Sequence, residues 1–145
     1  MFTHILVPTD GSPLSQSALQ KAFEFARDSG ARVTVLAVIE PFHVFSAASD
    51  QLSSTREEYE RHADIYASEW LAYAETKAKA LGVNSLSVKI EDEHPHQVII
   101  DTALKHGCDL IAMASHGRRG ITALVLGSVT LKVLTHSKIP VLVYR

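Results

Sequence analysis

Four short stretches of this chain are almost unbroken apolar, residues 4–7, 33–39, 110–114 and 141–144, and helix-like sequence lies between them. A strand with one wet face alternates apolar and polar residues. A run that stays apolar on both faces demands cover on both, which a parallel sheet wrapped by helices supplies. Leu86, Val88 and Ile90 do alternate, with Ser87, Lys89 and Glu91, so a fifth strand with one wet face belongs at a sheet edge. Consecutive parallel strands need crossovers, and these are right-handed. The expectation is an α/β fold: a doubly wound open sheet of five parallel strands with four helices, one domain over residues 1–145.

The intervening stretches carry helix signals. The first opens with Ser12 as N-cap and Pro13 at the first helical position, lines one side with Leu14, Ala18, Ala22, Phe25 and Ala26, and stops at Gly30. The second starts from a capping box of Ser54 and Glu57. It carries Tyr59, Ala63, Tyr66, Trp70, Leu71, Ala74, Ala78 and Leu81 at helical spacing and ends at Gly82. A third runs from Pro95 to about His106 with Val98, Ile99, Thr102 and Ala103 inward, and a fourth follows Gly127 with Val129, Val133 and Leu134 inward. Residues 40–51 show no period and read as a mobile loop.

Composition narrows the function. With 46% hydrophobic and 21% charged residues the chain is an ordinary folded domain, and its formal net charge of -2 excludes a dedicated nucleic-acid binder. No apolar run approaches 18 residues and no basic-plus-apolar leader opens the sequence, so no membrane role and a cytoplasmic location are expected. The single cysteine, Cys108, has no internal disulfide partner and reads as a small buried apolar residue.

In open α/β sheets ligands bind outside the carboxyl ends of the strands, where the strand order reverses. Two loops rich in glycine and polar residues follow the first and fourth strands, Pro8-Thr9-Asp10-Gly11-Ser12 and the run from Ala114 to Ser128, and they face each other across that crevice. In the second run nine residues separate Gly117 from Gly127, and Gly127-Ser128 opens a helix whose first N–H groups lack internal partners and favour an anion. Arg118 and Arg119 add positive charge nearby. No G-x4-G-K-[S/T] or G-x-G-x-x-G pattern occurs, so the P-loop and dinucleotide readings lack their fingerprints. Among eight histidines, His94 and His96 flank Pro95 and read as surface residues rather than a zinc site, whereas His116 lies in the phosphate-competent loop.

Val7-Pro8-Thr9-Asp10-Gly11-Ser12, Ser115-His116-Gly117 through Gly127-Ser128-Val129-Thr130, and Ile139-Pro140-Val141-Leu142-Val143 together resemble the universal stress protein family over essentially the whole chain. In that family the pattern G-x2-G-x9-G-[S/T] marks ATP-binding members. Gly117, Gly127 and Ser128 match it, while Ala114 stands where the first glycine would be. The resemblance implies that Asp10 contacts the nucleoside and that Pro8 and Thr9 shape the adenine pocket with Val38 and Met113; the methyl of Ala114, where the backbone approaches ribose or phosphates or takes a φ that glycine takes cheaply, is expected to weaken binding without abolishing it. It further implies that Gly117, Gly127, Ser128, Val129 and Thr130 cradle phosphates by backbone N–H and hydroxyl, with Arg118 beside them. The implied cofactor is ATP, or AMP or ADP, with Mg²⁺. The implied assembly is a homodimer through the last strand, signalling to an unidentified protein partner. A regulatory switch is the expected role. A slow ATPase or phosphotransferase, and a stress-associated dimer that binds no nucleotide, are the alternatives.

Overall fold

The computed structural model describes residues 1–42, 49–117 and 125–145, with side chains from residue 55 onward in the helix that opens at Ser49. The elements alternate as β1 (His4–Thr9), α1 (Pro13–Ser29), β2 (Arg32–Ile39), α2 (Ser49–Leu81), β3 (Ser85–Glu91), α3 (Pro95–Lys105), β4 (Leu110–Ala114), α4 (Ser128–His136) and β5 (Val141–Tyr144). All five strands are parallel in one sheet of order β3-β2-β1-β4-β5. The alternating strand β3 is an edge, as its pattern requires, and β5 is the other.

Successive side chains of a strand point to opposite faces, so each central strand feeds two cores. Ile5, Val7, Val33 and Val35 pack under α1 and α2 with Leu19, Phe23, Ala67, Leu71 and Ala74. Leu6, Leu36, Ile111 and Met113 pack under α3 and α4 with Ile99, Ala103, Cys108 and Val133. At about 25 cal/mol per Å², such two-sided burial is the main stabilising term of the fold.

Helix α1 begins as its sequence demands: Ser12 Oγ accepts from Ser15 N (3.2 Å), Pro13 follows, and Gly30 closes the helix in the left-handed conformation. Its apolar stripe differs from the expected one. Leu19 and Phe23 are buried, while Phe25 is exposed and Leu14 half-buried, because the side facing the sheet is set by Ala18, Ala22 and Ala26, which let the backbone approach closely. Helix α2 starts at Ser49, five residues before the expected capping box. Ser54's side chain and residues 43–48 of the expected loop lie outside the described residues. In α4, Thr130 and Val133 are buried and Leu134 faces out, correcting its inward assignment.

One detail of β1 opens the crevice. The strand continues through Pro8 and Thr9, which the sequence places in a loop, and both pair in register with β2 at Leu36 and Ala37. On the other side the register with β4 covers only Ile5 and Leu6. Proline offers no N–H to a ladder, so Pro8 fits a central strand only where one neighbour has diverged. The sheet splits between β1 and β4 just ahead of their carboxyl ends.

Candidate functional site

The loop leaving β1 is knotted by its own hydroxyls. Thr9 Oγ1 and Ser15 Oγ share a hydrogen bond (2.9 Å), and Asp10 N donates to Ser15 Oγ (3.2 Å). Ser12 N donates to Asp10 Oδ1 (3.0 Å), which orients the carboxylate. Its other oxygen, Oδ2, occupies the space a side chain at Gly117 would need, so the two loops touch.

The loop leaving β4 is anchored at both ends. Ser115 N donates to Tyr144 O (2.7 Å), and Gly127 N donates to Ser115 O (2.7 Å), returning the chain to its departure point. There Gly127 caps α4 without a side-chain hydrogen bond, and Leu131 N makes the first bond of the helix, to Gly127 O (2.9 Å). The amides of Ser128, Val129 and Thr130 therefore lack helical acceptors, and no acidic residue stands in the first turn. Among the described residues no lysine or arginine lines this cleft. Among the described residues, the positive potential at this end comes from the helix dipole and its N–H groups.

Between the two loops lies a cleft of about 600 Å³. Pro8, Thr9 and Asp10 line it from β1 and its loop, Val38 from β2, Met113 and Ala114 from β4, and Gly117, Gly127, Ser128, Val129 and Thr130 from the far side. All the sequence-designated site residues converge there except Arg118, which lies outside the described residues with Arg119. His116 lines the cleft too, and its Nδ1 shares a 3.2 Å hydrogen bond with Ser115 Oγ.

Three expectations about individual groups change. The Thr130 hydroxyl is buried and donates to Ala114 O (2.9 Å), so it ties α4 to β4 and its proton is already committed within the protein. The absent side chain of Gly127 makes room for the protein itself, since a Cβ there would stand 3.0 Å from His116 Cα and 3.4 Å from Ser115 O. Ala114 ends β4 in extended pairing with Tyr144, a conformation open to any residue, so its methyl brings no backbone strain.

The sequence missed one whole wall. Tyr59, His62, Ala63, Tyr66 and Trp70 of α2 also line the cleft, and Tyr59 and Tyr66 are exposed rather than packed in the core as their spacing suggested. The signal was length. The 33 residues of α2 span about 50 Å, while the eight of β2 span about 26 Å, so part of the helix must project beyond the sheet. The rings of His94 and His96 lie 6.5 Å apart and those of His96 and His136 lie 5.7 Å apart. No group of three metal-ligating side chains converges among the described residues.

Comparison with known proteins agrees with this architecture. The model of the universal stress protein family matches residues 1–145. Universal stress protein YxiE of Bacillus subtilis is 30% identical over 149 residues, covering 100% of both chains. The solved structure of universal stress protein UspA from Lactobacillus plantarum superposes with a TM-score of 0.75 at 28% identity, covering 99% of this chain and 97% of that one. A universal stress protein crystallised in complex with cAMP superposes with a TM-score of 0.73 at 26% identity, covering 99% and 97%.

Proposed function

This chain belongs to the universal stress protein family, and on that premise we propose that it binds an adenine nucleotide, ATP with Mg²⁺ foremost, in the cleft between the β1 and β4 loops. The observation that carries the reading is a helix N-terminus that lines the same cleft as Asp10. Three amides without helical acceptors and no first-turn acid make a phosphate cradle, and a carboxylate stands at its rim. The similar protein crystallised with cAMP supports the same ligand class.

In this reading the amides of Ser128, Val129 and Thr130 hold phosphate oxygens, and Gly117 and Gly127 let the loop backbones close around them. Asp10 receives a ribose hydroxyl or, with phosphate oxygens, holds Mg²⁺, an ion that takes one or two carboxylates beside its phosphates. Pro8, Thr9, Val38, Met113 and Ala114 shape the base pocket, and Arg118 adds charge beside the phosphates.

The bound nucleotide acts as a regulatory signal, read by a homodimer and passed to a protein partner. In support, Thr9, Ser15 and Thr130 hydroxyls are spent on structural hydrogen bonds, which suits holding a nucleotide better than turning it over. The dimer forms through β5, which among the described residues pairs with β4 alone and leaves its outer edge to a second copy. The proposed setting is the cytoplasm, where a lone buried thiol such as that of Cys108 stays reduced. Calorimetric titration with ATP and Mg²⁺ tests the reading: a saturable heat at micromolar to millimolar nucleotide is expected, and heats equal to dilution would promote the nucleotide-free dimer.

A further inference from the structure

We propose that helix α2 is the base-recognising wall of the cleft and that the ring of Tyr66 is the surface on which the planar base stacks. The inference rests on the nucleotide reading above and adds the residues that would grip the base.

Positions 59, 62, 63, 66 and 70 recur at helical spacing and share one face of α2. Lower in the helix the adjoining face is filled by Ala67, Leu71, Ala74 and Ala78 and is buried on the sheet. Above the sheet it is filled by rings and faces the cleft. Both ends of this ring-bearing stripe are pinned. The indole of Trp70 lies directly over Gly11, in the space a side chain there would occupy, and Gly11 itself holds φ 75°. Tyr59 donates its hydroxyl to Glu40 O (2.9 Å) and sets its ring against Phe42, centroids 5.4 Å apart.

Between these fixed points stand His62 and Tyr66, centroids 6.4 Å apart and tilted by 56°. Tyr66 is 50% exposed. An aromatic ring held open to solvent at the mouth of a cleft leaves apolar area that a planar ring can cover. The cleft thus carries two chemistries, amides and a carboxylate from the loops and aromatic faces along α2. That combination suits a ligand with an anionic tail and a flat π-faced head. Stacking reads the face of a base and not its edge, so Tyr66 would add affinity for any purine while barely separating adenine from guanine.

The test is calorimetric titration of the wild type, Tyr66→Ala and Tyr66→Phe with Mg²⁺ and either ATP or inorganic triphosphate. The expected result is a loss of about fivefold or more in ATP affinity for Tyr66→Ala, near-wild-type ATP affinity for Tyr66→Phe, and unchanged triphosphate binding in all three. An unchanged ATP affinity in Tyr66→Ala, or equal losses for ATP and triphosphate, would overturn the wall while leaving the nucleotide reading standing. A wild type that binds no ATP would instead bring down the nucleotide reading, and the wall with it. Circular dichroism checks that the exposed alanine leaves α2 intact.

Discussion

Gly127→Val perturbs the point where the β4 loop is stitched to α4. A Cβ at this position meets His116 Cα at 3.0 Å, His116 Cβ at 3.3 Å and Ser115 O at 3.4 Å. Two of those contacts are backbone, in a segment clamped by the Gly127 N to Ser115 O and Ser115 N to Tyr144 O hydrogen bonds, so the neighbour has little freedom to yield. The two γ-methyl groups of valine reach further still. Overpacking of this kind costs about 1–3 kcal/mol, and valine is a poor N-cap where glycine is a good one, worth roughly 1 kcal/mol more. For a chain of this size each kcal/mol shifts the midpoint by about 2–4 °C, so a fall of about 4–16 °C is expected. Gly127→Ser separates the two causes, because serine restores a good cap while keeping the Cβ contact. Differential scanning calorimetry should rank the wild type above Gly127→Ser and Gly127→Ser above Gly127→Val, with ATP affinity falling in the same order as the α4 amides shift. A Gly127→Val protein that melts with the wild type and binds ATP equally well would refute the steric account of the loop.

Four further outcomes are expected. His4 is buried, with Nε2 bonded to Thr34 Oγ1 (2.8 Å) and Nδ1 unpartnered among the described residues; burial first, then Arg32 and His106, depress its pKa. The unfolded chain therefore takes up a proton that the folded chain resists, and stability should decline as pH falls below about 6.5; urea titrations from pH 7.5 to 5 should show that slope shrinking in His4→Gln, and an equal slope would exclude His4 as its source. Burial pushes the Cys108 thiol up to about 11, so at pH 8 only about one molecule in a thousand is thiolate, and thiol reagents should label the native protein far more slowly than the urea-unfolded one; comparable rates would contradict its burial. Light scattering at about micromolar concentration should give roughly twice the 15.9 kDa chain mass for the wild type and the single-chain mass for Val143→Pro, whereas a dimeric mutant would move the interface away from β5. Phosphate release from ATP should stay roughly below one turnover per minute, well under the median enzyme rate of about ten per second; sustained turnover near one per second, lost in Asp10→Asn, would establish an ATPase.

The strand framework was readable because two-sided burial leaves a signature in the sequence: the runs 110–114 and 141–144 coincide with β4 and β5, and the alternating segment lies at the edge. The loops of the cleft were readable because glycines, a helix start and a strand end can meet in few ways. Four things were hidden. Pro8 and Thr9 read as loop because a proline argues against a central strand, and only the divergence of β4 removes the objection. The stripe of α1 was misassigned because Leu14 and Phe25 are apolar enough to suggest burial, yet small alanines fix which face meets the sheet. Tyr59 and Tyr66 have core-like spacing, and spacing cannot say where the sheet beneath a helix ends. The commitment of the Thr130 hydroxyl to Ala114 O was equally invisible, since it depends on a tertiary contact 16 residues apart.

In the proposed function the N-terminus of α4 and the β1 loop act together as a nucleotide cradle. Amide chemical-shift mapping of the ¹⁵N-labelled protein during titration with ATP and Mg²⁺ addresses that claim at the atoms concerned. The predicted result is saturable shifts concentrated at Ser128, Val129 and Thr130 and at Asp10, Gly11 and Ser12, with the β3 edge and the outer face of α1 unmoved. Saturable shifts elsewhere, with the α4 amides silent, would contradict it.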